Sequence, residues 1–203
     1  MRNVKNVLED TKVKEKARQN KVYCIKNKSM RIKTLIKTFI EKKAQLMEVM
    51  IEDTNTDYFI NKIEKNLNNK LTCLTNVKGE MTDWNFFNKD KNFHDVLKKG
   101  LHNSKIKYPE LSLQDSWGIK LLKNQQTKFH THELCTMSGI LYLNDCKTPL
   151  EFPELDIEIY PKKNSVLFFD GFLEHGTKKT LDEVKYAISF NFTRNISWTG
   201  KDK

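Results

Sequence analysis

Two histidines one residue apart, His130 and His132, and a third, His175, are the side chains in this sequence best placed to hold a metal ion. The segment from Gln126 to His132 reads as a β-strand. Strand side chains alternate between faces, so His130 and His132 project to the same side. His175 follows the apolar segment Ser165 to Phe169 and the Asp170-Gly171 turn. Three imidazoles delivered from two strand ends can occupy one face of a first-row metal and leave its other positions open. An isolated His-x-His pair is better explained by two histidines hydrogen-bonding on a sheet. Glu133 is an alternative second ligand, but on a regular strand it points away from His130 and would need a bulge to reach the ion. Cys135 reads either as a zinc thiolate or as a small buried hydrophobe.

The elements that must carry these residues lie mostly after Pro109. Apolar runs there alternate with turn residues, which predicts antiparallel strands near 116–123, 126–133, 138–143, 150–152, 156–160, 165–169 and 185–193. On the last of these, Lys185, Ala187, Ser189 and Asn191 share one face, and Tyr186, Ile188, Phe190 and Phe192 the other. Ahead of the strands, Thr56 or Asp57 can cap a helix carrying Tyr58, Phe59, Ile63 and Leu67, and another carries Phe93, Val96, Leu97 and Leu101. His94 and His102 fall on that second helix as surface residues. Ile32, Leu35, Ile36, Phe39 and Ile40 predict an earlier helix from Ser29 to about Lys43. The run Leu46 to Ile51 fits either an edge strand or a continuation of that helix. Residues 1–28 lack strong periodicity and read as a frayed or weakly helical extension. Helices grouped before short strands predict an α+β chain whose β part is a barrel or sandwich. The division drawn from this is a basic, partly helical extension over 1–44 and a domain over 45–203, with the β core at about 110–195.

Charge is unevenly spread. Residues 1–50 hold 14 Lys and Arg against 5 Asp and Glu, whereas the rest holds 22 against 21, so nearly all of the net +10 belongs to the N-terminal quarter. That suits either an arm touching an anionic partner such as nucleic acid or a solvated lysine-rich segment. Cys24, Cys73, Cys135 and Cys146 form no Cys-x-x-Cys pair, no apolar run approaches the roughly 20 residues that span a bilayer, and no signal peptide is evident. A cytoplasmic protein without membrane contact is expected, in the host cytoplasm if the chain is viral.

Five segments in fixed order then carry a resemblance: Phe129-His130-Thr131-His132, Ser138 to Asn144, Pro161 to Phe169, Leu173-Glu174-His175, and Lys185 to Asn191. Together they resemble the 2-oxoglutarate/iron(II)-dependent oxygenase superfamily, in particular its prolyl-hydroxylase-like branch and the short oxygenase-like proteins of phages. The likeness covers about residues 75–193. It implies a double-stranded β-helix (jelly-roll) core with supporting N-terminal helices. It also implies iron(II) and 2-oxoglutarate as cofactors, with ascorbate as a supporting reductant. The family's His-x-Asp pair and distal histidine map onto His130, position 132 and His175. Histidine at 132 departs from the usual carboxylate and makes the centre one charge more positive. The basic residue that anchors the far carboxylate of 2-oxoglutarate, about ten positions after the distal histidine, maps onto Lys185. Ser189 shares its strand face, and Tyr142 maps onto a tyrosine that hydrogen-bonds the same carboxylate or else serves as a core aromatic. Trp84, Trp117 and Trp198 read as packing anchors rather than substrate-stacking rings, although Trp198 lies near the C-terminus where a substrate lip could form.

The resemblance implies a hydroxylase, most plausibly peptidyl or prolyl, acting on a peptide or protein. Two other readings compete with it: a nucleic-acid-modifying oxygenase served by the basic arm, and a non-catalytic β-barrel binding or structural module with a degenerate metal site. Because the motifs begin far from the N-terminus, a chain starting at Ser29 is expected to stay soluble and to turn over 2-oxoglutarate, measured as succinate release.

Overall fold

Strand alternation sorts the second half of the chain into two buried faces, and the two helices cover one of them. The computed structural model describes residues 20–30, 40–68, 70–71, 75–105, 111–132 and 134–194, with side chains from position 44 onward. Its elements in chain order are β1 (Asn20–Met30), β2 (Ile40–Met50), α1 (Thr56–Lys65), β3 (Val77–Lys78), β4 (Glu80–Met81), α2 (Lys91–Ser104), β5 (Leu111–Leu122), β6 (Gln126–Thr127), β7 (Met137–Tyr142), β8 (Leu150–Phe152), β9 (Ile157–Ile159), β10 (Ser165–Asp170) and β11 (Val184–Arg194). Seven strands form one sheet in the order β1-β2-β10-β7-β11-β5-β4, and the pairs β3-β6 and β8-β9 stand apart from it. Two isolated bridges, His130 to His175 and Glu151 to Gly176, join these short pairs into a second layer. This is the jelly-roll arrangement expected.

The outer face of the large sheet carries Val49, Leu141, Phe168, Ile188 and Phe190, packed against Phe59 and Ile63 of α1 and Phe93 and Leu97 of α2. Both helices begin on a side-chain cap. Asn55 Oδ1 accepts from the Tyr58 amide at 3.1 Å, one residue earlier than the expected cap, and Asp90 Oδ1 accepts from the Phe93 amide at 3.0 Å. The other oxygen of Asp90 accepts from Lys62 and from the Tyr58 hydroxyl, tying α1 to the start of α2. The inner face carries Leu46, Ile140, Tyr142, Leu167, Phe169 and Ala187, packed against Leu150, Phe152 and Ile159 of the second layer.

Three expectations change. The helix over 29–43 is replaced at both ends by β1 and β2, which pair antiparallel from Asn20↔Val49 to Met30↔Ile40, and positions 31–39 lie outside the described residues. The run Leu46 to Ile51 belongs to β2 through Met50, and β2 is not an edge, because β10 pairs along its other side. With Leu46 buried on one face and Val49 on the other, both faces are apolar, so neither a period of 2 nor one of 3.6 stands out. The boundary drawn at residue 44 therefore falls inside β2, and a chain starting at Ser29 would lose Asn20 to Lys28 from the ladder and bare the edge of β2. Finally, the strand expected over 126–133 is regular only at Gln126–Thr127, and β3 and β4, two residues each, carry too little pattern to be read from sequence.

Gly139 shows how tightly the two faces press on β7. A Cβ there would lie 2.3 Å from the Phe190 ring and 2.8 Å from the Leu167 carbonyl. Overpacking of this kind costs about 1–3 kcal/mol. Gly139→Ala should lower the urea midpoint accordingly, with an unchanged midpoint refuting the packing described.

Candidate metal centre

The short second layer brings the three histidines together. His130 and His175 exchange backbone hydrogen bonds in both directions, each 3.0 Å, and the His132 amide donates to the Gly171 carbonyl at 2.7 Å. One donor atom from each of His130, His132 and His175 lies within 4.8 Å of the other two. Their ring centroids are 4.5–5.3 Å apart. Among the described residues this is the single group of three or more metal-ligating side chains found.

Two of the rings are already oriented. The Nδ1 of His130 lies 2.7 Å from the Lys128 carbonyl, and that of His175 lies 2.9 Å from the Leu173 carbonyl. A carbonyl can only accept, so each Nδ1 carries the proton and each Nε2 keeps its lone pair for a metal. The His132 ring has no described hydrogen bond. His130, His132 and His175 would hold a metal ion through these nitrogens.

Burial keeps all three rings neutral. It is the main cause that brings His175 down to about 3 and His132 to about 4, with the neighbouring imidazoles adding to it. His130 is lowered by the same burial against the opposing pull of its Lys128 hydrogen bond and of Glu174. Unprotonated imidazoles at neutral pH are what a cation requires. Cys135 is half-buried, hydrogen-bonded to Gln114 at 3.5 Å, and outside the donor group. Glu133 lies outside the described residues, as does Trp198. His94 and His102 sit on α2, away from the cleft, with His94 Nε2 2.6 Å from the Asn88 carbonyl.

The histidines border a narrow cleft between the second layer and the inner face of the large sheet. That face contributes Trp117, Ser138, Tyr142, Lys185, Ser189 and Asn191. The register sets them in rows: Asp115, Asn191 and Ser138; then Trp117, Ser189 and Ile140; then Ile119, Ala187 and Tyr142; then Leu121 and Lys185. Lys185 is only 5% exposed, and no hydrogen bond or ion pair to its ammonium is described; it lies 5.5 Å from the centre of the Tyr142 ring. Burial lowers its pKa to about 8, against the weak opposing pull of Cys146 and Asp182. The fully buried Tyr142 hydroxyl also lacks a partner. A buried cation and an unsatisfied hydroxyl lining the same cleft as the histidines fit a carboxylate. The site thus fits both a metal ion and an oxo-acid anion.

Trp117 packs in the core beside Ile119 and Leu121, as its reading as a packing anchor expected, but its buried indole N–H has no partner among the described residues; Glu48, buried on the inner face with one oxygen likewise unpaired, was not singled out. A charged residue inside the apolar run 46–51 was the available signal for Glu48. Trp117 offered none, because an indole reads the same whether it packs or binds.

No family model matches the sequence, and no curated protein matches it. Solved structures do. A viral collagen prolyl hydroxylase from Paramecium Bursaria Chlorella virus-1, in complex with 2-oxoglutarate, superposes with a TM-score of 0.57 at 17% identity, covering 73% of this chain and 96% of that one. HygX from Streptomyces hygroscopicus, with nickel and 2-oxoglutarate bound, gives 0.56 at 10% identity over 74% of this chain and 83% of its own. SnoK, a non-heme alpha ketoglutarate dependent carbocyclase from nogalamycin biosynthesis, gives 0.53 at 10% over 74% and 79%. The chain has the jelly-roll fold of these 2-oxoglutarate-dependent oxygenases. Among the described residues, no helix is long and apolar enough to cross a membrane.

A Cβ on Gly171 would lie 2.4 Å from the Cys135 carbonyl and 2.6 Å from that of His132, both backbone atoms. Gly171→Ala should therefore displace His132 and weaken nickel(II) binding about ten- to a hundredfold, as disturbed outer-shell support does, with the circular dichroism spectrum retained. His175→Ala should abolish retention of the ion. Calorimetric titration with nickel(II) checks both, and wild-type affinity in either variant would refute the ligand set.

Proposed function

We propose that this chain is an iron(II)- and 2-oxoglutarate-dependent oxygenase that hydroxylates a peptide or protein, with prolyl hydroxylation the favoured reaction. The observation that carries the reading is the pairing, in one cleft, of three neutral imidazoles with a buried lysine that lacks a partner among the described residues. His130, His132 and His175 hold the ion. When bound, iron(II) with 2-oxoglutarate and dioxygen supplies an oxidation in which the oxo acid loses carbon dioxide to give succinate and one oxygen atom enters a substrate C–H bond.

The chain's own residues bind, orient and keep water out. Lys185 pairs with the far carboxylate of 2-oxoglutarate, Tyr142 donates its hydroxyl to the same group, and Ser189 lines the path between that group and the metal. Ile119, Ala187, Leu150 and Phe169 form apolar walls that exclude water and strengthen the charge pairing. Three neutral ligands leave the ion's double positive charge uncompensated by protein, which favours a dianionic cosubstrate. The peptide substrate is supported by the likeness to a collagen prolyl hydroxylase. No described feature supports nucleic acid as substrate, and nothing at the site speaks for ascorbate. A purely structural module would bind metal without consuming 2-oxoglutarate, so succinate release by the iron(II)-loaded protein separates the two readings.

A charge-assisted hydrogen bond is worth roughly 1.5–3 kcal/mol, so Lys185→Ala should weaken 2-oxoglutarate binding about ten- to a hundredfold, while Lys185→Arg retains part of it. The pH dependence has a definite sign. With the Lys185 pKa near 8, the ammonium is charged below that pH and affinity is flat. Above it the lysine must first take up a proton, and affinity falls by up to about tenfold per unit. Folding stability moves the opposite way over this range. The buried charge costs stability below about pH 8, and the cost fades as pH rises toward the ordinary lysine value of 10.5. Calorimetric titration of the nickel(II)-loaded protein with 2-oxoglutarate between pH 7 and 10 measures the first effect, and an affinity that rises above pH 8 would exclude Lys185 as the anchor.

A further inference from the structure

One wall of the cleft carries polar groups that neither the metal nor 2-oxoglutarate uses. Trp117 lies on the inner face of β5, its ring 6.4 Å from that of His132, and it is 4% exposed. Its Nε1 is a buried donor without an acceptor. Leaving such a group unpaired is costly unless a ligand completes it. Two positions along the same face, away from Lys185, stands Asp115. Its Oδ1 accepts from Asn191 Nδ2 at 2.8 Å, and Asn191 Oδ1 accepts in turn from the Ser138 hydroxyl at 2.7 Å. Asn191 and Ser138 both line the cleft. This chain of hydrogen bonds fixes the carboxylate, and no described lysine, arginine or histidine forms an ion pair with it. Burial raises its pKa from the usual carboxylate value, which the Asn191 bond partly opposes. Beside it, the half-exposed Trp84 meets Trp117 edge-on at 4.7 Å and so carries the aromatic surface outward.

The inner face of the sheet is therefore polarised. Lys185 and Trp117 line the cleft, and Asp115 follows Trp117 on the same face, three rows from Lys185 and outside the cleft lining, as Trp84 is. Carboxylates and indole faces both attract cations, whereas the anionic cosubstrate is drawn to the lysine end. We propose that Asp115, Trp117 and Trp84 form a substrate subsite for a cationic nitrogen, the ammonium or guanidinium of a lysine- or arginine-like side chain, with the Trp117 N–H donating to a carbonyl oxygen of the same substrate. This subsite rests on the oxygenase reading and narrows it to basic substrates.

The test uses the full chain loaded with redox-silent nickel(II) and 2-oxoglutarate. N-acetyl-lysine methylamide is titrated in and followed by tryptophan emission and by ligand NMR line broadening, alongside the norleucine and glutamate analogues. The lysine probe should bind at least tenfold more tightly than either analogue. Asp115→Asn should remove that preference, and Asp115→Glu should restore part of it. Trp117→Phe, which deletes only the N–H and part of the ring, should weaken all three probes together and leave the charge preference in place. Equal affinity for the lysine and norleucine probes, no binding of the lysine probe, or an undiminished preference in Asp115→Asn would each overturn the proposal. Failure of the wild-type protein to bind 2-oxoglutarate would instead overturn the oxygenase reading, and that titration is run first.

Discussion

The reciprocal backbone hydrogen bonds between His130 and His175 are the contact on which the site depends. They are an isolated bridge in a layer whose other pairings are two or three residues long. So short a ladder has little stability of its own. It survives because the Glu151–Gly176 bridge flanks it on one side, and the Thr127 amide and carbonyl reach Thr177 on the other. Without this bridge, the first two histidines and the third would belong to separate loops. With it, two ring orientations follow from local carbonyls, at Lys128 and Leu173, that need no further support.

The large sheet plays the opposite part. Its rows are long, regular and packed on both faces, so it provides a fixed wall against which the thin layer is held. Rigidity on this side lets a lysine be buried without a partner, because its strand is held by β5 along one edge and β7 along the other. In the proposed reading, an incoming carboxylate would relieve the desolvation cost stored there.

A sheet face that carries an ammonium in the cleft and a carboxylate three rows away would also sort ligands by charge. Both groups lie on the inner face of the same sheet, three rows apart, and strand spacing rather than loop conformation sets that separation. Placement on regular strands is more exact than placement on loops, which suits a site where two molecules must meet at one ion.

Much of this was legible in the sequence because it depends on local pattern. Alternation along Lys185 to Phe192 assigned the cleft face and the helix face, and the 3–4 residue spacing of Phe93, Val96, Leu97 and Leu101 marked α2. His130, His132 and His175 were singled out by type and order. Pairing partners were not legible, because hydrogen bonds between strands distant in sequence leave no local trace. For that reason the segment around Ser29 to Lys43 read as a helix although its described ends are strands, and β2 read as a possible edge although β10 lies beside it. Trp117 looked like packing because residue type cannot say whether a donor meets an acceptor; only the surrounding atoms decide that. The sequence by itself determined which side chains share a face. The tertiary structure alone decided which faces meet, since that is settled by burial and hydrogen bonding summed over the whole chain.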